Sequence, residues 1–213
     1  GLGTDLTLDA ASASSTLTLA ASGAGSTLAL ANSGGQLATL TLTGDKSLSI
    51  SMGSVSTLKT VNAAGNSAGV TLDQTADNQL SFVGGAGNDT AKFAAGQFTS
   101  QDSVDLGAGT GDKLLLADTS VSAALRTAIN AVKGVEVLGF SGAGVSVDVS
   151  ALTGAGTAGI SSFSLEGAGA VAVSGSSSAA SYTLARNLNN SGSTFTVANT
   201  VGETSTKLTL SGG

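Results

Sequence analysis

Short segments in which apolar and polar residues alternate recur along nearly the whole chain. Near the start they lie at residues 6–8, 17–19 and 28–30, a spacing of eleven residues. Each has the pattern of a half-buried strand, and Gly, Ser and Asn between them are typical of turns. Short strands at a near-constant period predict the coils of a solenoid or the strands of a sandwich. We favour a parallel β-solenoid, similar to a β-roll, because the small Ala and Ser residues that flank the strands allow close stacking of coils.

A different periodicity appears at residues 120–133, where apolar side chains fall on a single helical stripe. The stripe consists of Val121, Ala124, Leu125, Ala128, Ile129 and Val132. Thr119 or Ser120 is expected to cap the start of this helix, and Gly134 suits its end. The sequence therefore predicts a mainly β fold with one α-helix at about 120–133, which covers an open end or side of the β-structure.

The chain divides into three regions by composition. Residues 1–80 form a β-repeat region, residues 81–118 hold two segments rich in glycine and aspartate, and residues 119–213 contain the helix and a second β-repeat region. The alternative is one continuous elongated domain. Because the chain begins and ends within its own repeat pattern, we expect it to be a piece of a longer protein.

Composition argues against several classes of function. The chain has no His and no Cys, so it lacks the residues of a Ser-His-Asp triad, a thiol nucleophile or a cysteine-ligated zinc site. We therefore expect no enzymatic activity. The net charge of −6 argues against binding to nucleic acid. No apolar run approaches the roughly 18 residues of a membrane-spanning helix.

The first glycine-aspartate segment, GGAGNDTAKF at residues 84–93, matches the calcium-binding nonapeptide repeat G-G-x-G-x-D-x-U-x. The match lies at Gly84, Gly85, Gly87 and Asp89. Glycines allow tight turns whose carbonyls can face a cation, and the aspartate adds a hard carboxylate oxygen of the kind that Ca²⁺ prefers. The alternative is a turn aspartate whose carboxylate accepts hydrogen bonds from nearby backbone amides.

The second segment, DLGAGTGDKLLLAD at residues 105–118, departs from that template because Asp112 comes one residue late. The step from Gly85 to Gly107 is also longer than two nonapeptides, so the two segments need not form successive turns of a regular roll. We expect either one irregular calcium site or two half-sites. Asp102, Asp105 and Asp118 are the additional acids that would complete them.

Together with the calcium repeat, two further features carry a family resemblance. They are GVEVL at residues 134–138, followed by SGAGVSVDVSALTG at 141–154, and the cysteine-free strands rich in Thr, Ala, Ser and Gly. The chain resembles the RTX-type S-layer proteins of Gram-negative bacteria and, more broadly, RTX surface proteins and adhesins. The resemblance implies Ca²⁺ ligands at Gly85, Gly87, Asp89, Gly107, Gly109 and Asp112.

The resemblance also implies how such a protein works. It implies export by type I secretion, folding outside the cell when Ca²⁺ arrives, and a two-dimensional lattice on the bacterial surface. The partners would be copies of the chain itself and cell-surface polysaccharide or lipopolysaccharide. We therefore expect a structural, self-assembling, non-catalytic segment of an S-layer. The alternatives are an adhesin module that binds a ligand and the repeat region of a secreted enzyme.

Overall fold

The computed structural model describes part of the chain in detail. The described residues are 6–9, 15–23, 26–31, 36–53, 55–75, 79–152, 159–175, 180–185, 195–198 and 207–211. The strands are Leu6–Asp9 (β1), Thr16–Ala21 (β2), Ser26–Ala31 (β3), Thr39–Gly44 (β4), Leu48–Ser51 (β5), Thr60–Asn66 (β6), Val70–Gln74 (β7), Ser81–Val83 (β8), Thr90–Phe93 (β9), Ser103–Asp105 (β10), Lys113–Leu116 (β11), Val137–Phe140 (β12), Ser146–Asp148 (β13), Ser162–Leu165 (β14), Val171–Ser174 (β15), Ser181–Ala185 (β16), Phe195–Ala198 (β17) and Lys207–Ser211 (β18). Within these ranges the one helix is Ala123–Ala131 (α1).

The strands form three sheets in which neighbours pair in parallel. The long sheet has ten strands in the order β1-β3-β5-β7-β9-β11-β12-β14-β16-β18. The N-terminal sheet has the order β10-β8-β6-β4-β2, and the C-terminal sheet has the order β13-β15-β17. The chain thus returns to the long sheet once per coil and adds one parallel strand each time. The prediction of a mainly β, parallel β-solenoid with one short helix is confirmed.

The spacing of the first three apolar segments corresponds to half a coil. Leu6 pairs with Leu28, and Leu28 pairs with Ile50, so the first strands of the long sheet repeat at twice that spacing. The intervening strand β2 belongs to the N-terminal sheet. Each early coil therefore contains two strands, one on each face of the solenoid.

The core lies between the sheets and is apolar along the length of the described solenoid. One inward ladder of the long sheet consists of Leu28, Ile50, Leu72, Ala91, Leu114, Leu138, Phe163 and Tyr182. All eight side chains are buried, and they belong to a single hydrophobic cluster. The long sheet and this cluster continue through all three regions that composition distinguishes in the sequence.

The helix α1 lies in the coil between β11 and β12. It buries Leu125, Ala128 and Ile129, which belong to the apolar stripe that the sequence predicts. The predicted cap at Thr119 or Ser120 is wrong, because the side chain of Ser122 accepts the hydrogen bond from the main-chain N–H of Leu125. Ser122 also has the extended backbone that the N-cap position requires. Among the described residues, no helix is long and apolar enough to cross a membrane.

Candidate functional site

The two glycine-aspartate segments form turns at the edge of the solenoid where the chain passes from the N-terminal sheet to the long sheet. These turns lie on successive coils, since β9 pairs directly with β11 and Gly107 lies against the main chain of Gly85. The sequence did not require this arrangement, because the spacing of the two segments differs from that of a regular roll. The step from Gly85 to Gly107 equals the step between the paired residues Leu6 and Leu28, which is one full coil of this solenoid.

The glycines of both segments allow the turns to stack closely. A Cβ atom on Gly85 would overlap the carbonyl oxygen of Asn66 in the preceding coil, and one on Gly107 would overlap the carbonyl oxygen of Gly85. At Gly109 a Cβ would overlap Oδ1 of Asp112 and lie 2.6 Å from the oxygen of Gly87. Glycine is therefore required here for contact between coils, independently of any ligand.

Asp89 is completely buried, and both of its carboxylate oxygens accept hydrogen bonds from the main chain. Oδ1 accepts from the N–H of Val70 at 2.6 Å, and Oδ2 accepts from the N–H of Gly85 at 2.8 Å. The first bond links two coils and the second closes the turn. Asp89 is therefore arranged as a turn aspartate whose carboxylate binds backbone amides, which the sequence analysis gave as the alternative to a calcium ligand.

Asp112 takes the equivalent place one coil further along. Its Oδ1 accepts a hydrogen bond from the main-chain N–H of Asp89 at 2.7 Å, while its own N–H donates to Oε2 of Glu136 at 2.9 Å. Each of the three acids thus holds an amide of the coil before it. We call Asp89, Asp112 and Glu136 the acid ladder.

One oxygen of the acid ladder has no partner. Asp112 is 0% exposed, and its buried Oδ2 accepts no hydrogen bond of normal geometry among the described residues. A buried carboxylate oxygen in that position is costly unless a proton, a cation or a water molecule accompanies it. It is the strongest indication of a ligand among the acids that the sequence singles out.

The pKa values of both buried aspartates are raised, chiefly by burial. Burial raises the pKa of Asp112 to about 6, the charges of Glu136 and Asp89 add to this rise, and the main-chain N–H groups of Asp89 and Gly109 act in the opposite direction. Burial likewise raises the pKa of Asp89, against the two N–H groups of Gly85 and Val70. The negative charges of the acid ladder are therefore only partly compensated by the amides that they bind.

The other predicted acids lie elsewhere. Oδ1 of Asp102 accepts from the N–H of Leu80 and Oδ2 accepts from Thr99, at the opposite end of β10 from Asp105. Asp105 binds the N–H of Gly107 through Oδ1. These bonds stabilise a loop and a turn.

Asp118 is separated from Asp112 by the four residues of β11 and by Ala117, which corresponds to roughly 20 Å of extended chain. Its Oδ1 accepts from the N–H of Gly96 at 3.1 Å, and its Oδ2 is buried without a hydrogen-bond partner among the described residues. The structure therefore brings Asp89 and Asp112 together and places Asp102 and Asp118 apart from them. Among the described residues, no three acidic side chains are grouped closely enough to form a metal site by themselves.

Glu136 is the site residue that the sequence analysis missed. It directly precedes β12, just as Asp89 directly precedes β9 and Asp112 directly precedes β11. The sequence pattern that could have predicted Glu136 is an acidic residue immediately before each of these three strands. The regular spacing of this pattern is interrupted because the helix α1 lies between Asp112 and Glu136.

The fold and this edge define the class of the protein as a parallel β-solenoid with an acid ladder between its coils, of which Asp89 and Asp112 are buried. No family model, no curated protein and no solved structure matches the chain at a significant level.

Proposed function

We propose that the chain is a structural, non-catalytic segment of a calcium-dependent bacterial surface-layer protein that assembles with copies of itself. The observation that carries the proposal is the buried, unpartnered Oδ2 of Asp112 at the contact between two coils. Neutralisation of this oxygen is coupled to the stacking of the coils, because the same side chain holds the amide of Asp89.

Calcium suits the acid ladder on chemical grounds. Ca²⁺ takes six to eight hard oxygen ligands and tolerates irregular geometry. Its charge would offset the mutual repulsion of the three carboxylates, which contributes to the raised pKa of Asp112. An ion that binds only the folded chain stabilises it by roughly 2.7 kcal/mol at a hundredfold excess over its Kd. The chain would therefore fold stably only after export, when it meets the calcium of the extracellular medium.

The outer face of the N-terminal sheet suits contact between copies. Over β2, β4, β6 and β8 the outward side chains carry no charge. They are Thr16, Thr18 and Ala20, then Thr39, Thr41 and Thr43, then Thr60, Asn62 and Ala64, and finally Ser81 and Val83. Burial of such a face removes no ionised group from water, so association avoids the largest desolvation cost.

The test is assembly of the protein with and without calcium. Light scattering and negative-stain electron microscopy should show extended sheets after Ca²⁺ is added to chelated protein, and their dispersal when chelator is restored. Mg²⁺ at the same ionic strength serves as the control. A protein that stays monomeric in Ca²⁺ at every concentration would reject assembly. Retention on polysaccharide or lipopolysaccharide without self-assembly would instead favour the adhesin function.

A further inference from the structure

Resting on the proposed calcium dependence, we infer that the ion is held between Asp112 and Glu136, at the contact of the coils that contain β11 and β12, and that Asp89 is not one of its ligands. This assignment differs from the nine residues that the sequence indicates. The proposed ligands no longer include Asp89, which is part of the match to the calcium repeat, and now include Glu136, which lies outside that repeat.

Asp89 is excluded by its own hydrogen bonds. Both oxygens face main-chain N–H groups at 2.6 and 2.8 Å, and these donors would be stranded if the carboxylate turned toward a cation. The carbonyl of Gly85 is also engaged, because it accepts from the N–H of Ala108 at 2.9 Å. The first glycine-aspartate segment thus uses its polar groups to join coils.

Oδ2 of Asp112 accepts no hydrogen bond of normal geometry among the described residues, and the N–H of Gly109, which favours the ionised carboxylate, is the one further main-chain donor that acts on it. Oδ1 holds the amide of Asp89, which fixes the orientation of the side chain and leaves Oδ2 buried beside Glu136 and Asp89. No lysine or arginine pairs with Asp112 or Glu136 among the salt bridges of the described residues, which are Lys46–Asp45, Lys92–Asp73 and Lys113–Glu166. A cation from solution would compensate the charge of both carboxylates and coordinate the free oxygen of Asp112.

Glu136 is the second carboxylate at this contact. Its Oε2 accepts from the N–H of Asp112 at 2.9 Å, so the glutamate carboxylate lies next to the backbone of the residue whose Oδ2 is unpartnered. The side chain is only partly buried, which allows an ion to reach the site from solvent. Main-chain carbonyls and water would complete the coordination shell of a calcium ion.

The experiment compares Asp112→Asn and Glu136→Gln with the control Asp105→Asn by calcium titration calorimetry and thermal unfolding. The amide introduced by either site substitution retains an oxygen for the N–H that the acid holds, so the variants should stay folded; circular dichroism checks this. In the unaltered protein, we expect a rise in Tm of roughly 5–10 °C at a hundredfold excess of calcium over Kd. Each site variant should bind calcium roughly tenfold more weakly or worse and so lose about half of that rise or more at the same calcium concentration, while Asp105→Asn should respond normally.

Three outcomes would overturn the assignment. The first outcome is that the site variants bind calcium as the unaltered protein does, while Asp118→Asn abolishes binding. The ion would then lie at the far end of β11, which rejects its location between Asp112 and Glu136 but not the calcium dependence. If Asp89→Asn abolishes binding while Glu136→Gln does not, the motif aspartate is the ligand. If the unaltered protein neither binds calcium nor changes in Tm when calcium is added, the calcium dependence itself is rejected, and a gain in stability of Asp112→Asn at pH 7 would then show that the ionised Asp112 has no compensating ion.

Discussion

The main-chain N–H of Asp89 donates to Oδ1 of Asp112 at 2.7 Å, across 23 residues of sequence. The two aspartates occupy the same position in successive coils, directly before β9 and β11. Each carboxylate therefore stabilises the coil before its own. Because amide and carboxylate are both buried, loss of either partner would leave a polar group without compensation.

Replacement of Asp89 by alanine should destabilise the protein by about 2–6 kcal/mol, because two buried amides, those of Val70 and Gly85, would lose their acceptor. Asp89→Asn should have a smaller effect, since one amide oxygen remains. Urea unfolding measures both, with Asp105→Ala as the control, for which we expect about 1 kcal/mol or less because its bond lies at the surface. Equal losses for Asp89→Ala and Asp105→Ala would contradict the role of Asp89 in joining coils.

Acidification should stabilise the chelated protein over a defined range of pH. The pKa of Asp112 rises from 3.8 to about 6 on folding, so the native state binds this proton more tightly than the unfolded state does. The free energy of unfolding should therefore increase as the pH falls from about 6 to about 4, by up to about 3 kcal/mol, and this contribution is absent at pH 7 and above. Denaturant titrations at several pH values provide the measurement.

Asp112→Asn is the matched variant for this pH dependence, because it retains the oxygen for Asp89 and lacks the titrating group. Its stability should change less over the same interval, and the difference between the two proteins isolates Asp112 from the other acids. Parallel stability curves for the variant and the unaltered protein would show that Asp112 does not take up a proton on folding.

Close stacking of the turns can be tested with two glycines that share a left-handed backbone conformation. Gly107 has φ +89° and lies against the carbonyl of Gly85, whereas Gly96 has φ +74° and open space where a Cβ would be. Gly96→Ala should cost about 1–2 kcal/mol, from backbone strain alone. Gly107→Ala should cost about 3–5 kcal/mol, since the coils must also separate. Similar losses of unfolding free energy in both variants would mean that the coils adjust without cost.

The start of α1 offers a test of the corrected cap. Ser122→Ala should destabilise the protein by about 1 kcal/mol, because the N–H of Leu125 loses its acceptor at 3.1 Å. Ser120→Ala should be neutral within about 0.5 kcal/mol, since Ser120 lies before the helix and is exposed. Thermal unfolding of the two variants in parallel distinguishes them, and the reverse ranking would restore the cap that the sequence suggests.

The elements themselves were accessible from the sequence because each depends on a local pattern. The alternation at residues 17–19 and 28–30 is the signature of strands with one buried face, and β2 and β3 contain these triplets. The helical stripe from Val121 to Val132 likewise predicted the existence of α1, whose observed bounds lie inside the predicted ones. Local side-chain periodicity was sufficient for these elements.

The register between coils could not be read from the sequence in the same way. Paired residues of the long sheet are closer in sequence from Leu72 to Ala91 than from Leu138 to Phe163. The segments between the strands absorb the difference in length, so a fixed spacing is a poor guide to which turns stack. For this reason the comparison of the step from Gly85 to Gly107 with two nonapeptides did not show whether the two turns stack.

Propensity and periodicity act over a few residues, so the amino-acid sequence was enough to specify short strands, one helix and glycine-rich turns with acids in them. Which acids meet depends on the tertiary structure. Stacking of coils brought Asp112 against Asp89 and Glu136, placed two amides against the carboxylate of Asp89, and left one oxygen of Asp112 without a hydrogen bond of normal geometry among the described residues. The physical reason is that burial and hydrogen bonding of a carboxylate depend on the neighbouring coils, whose register is a property of the whole solenoid.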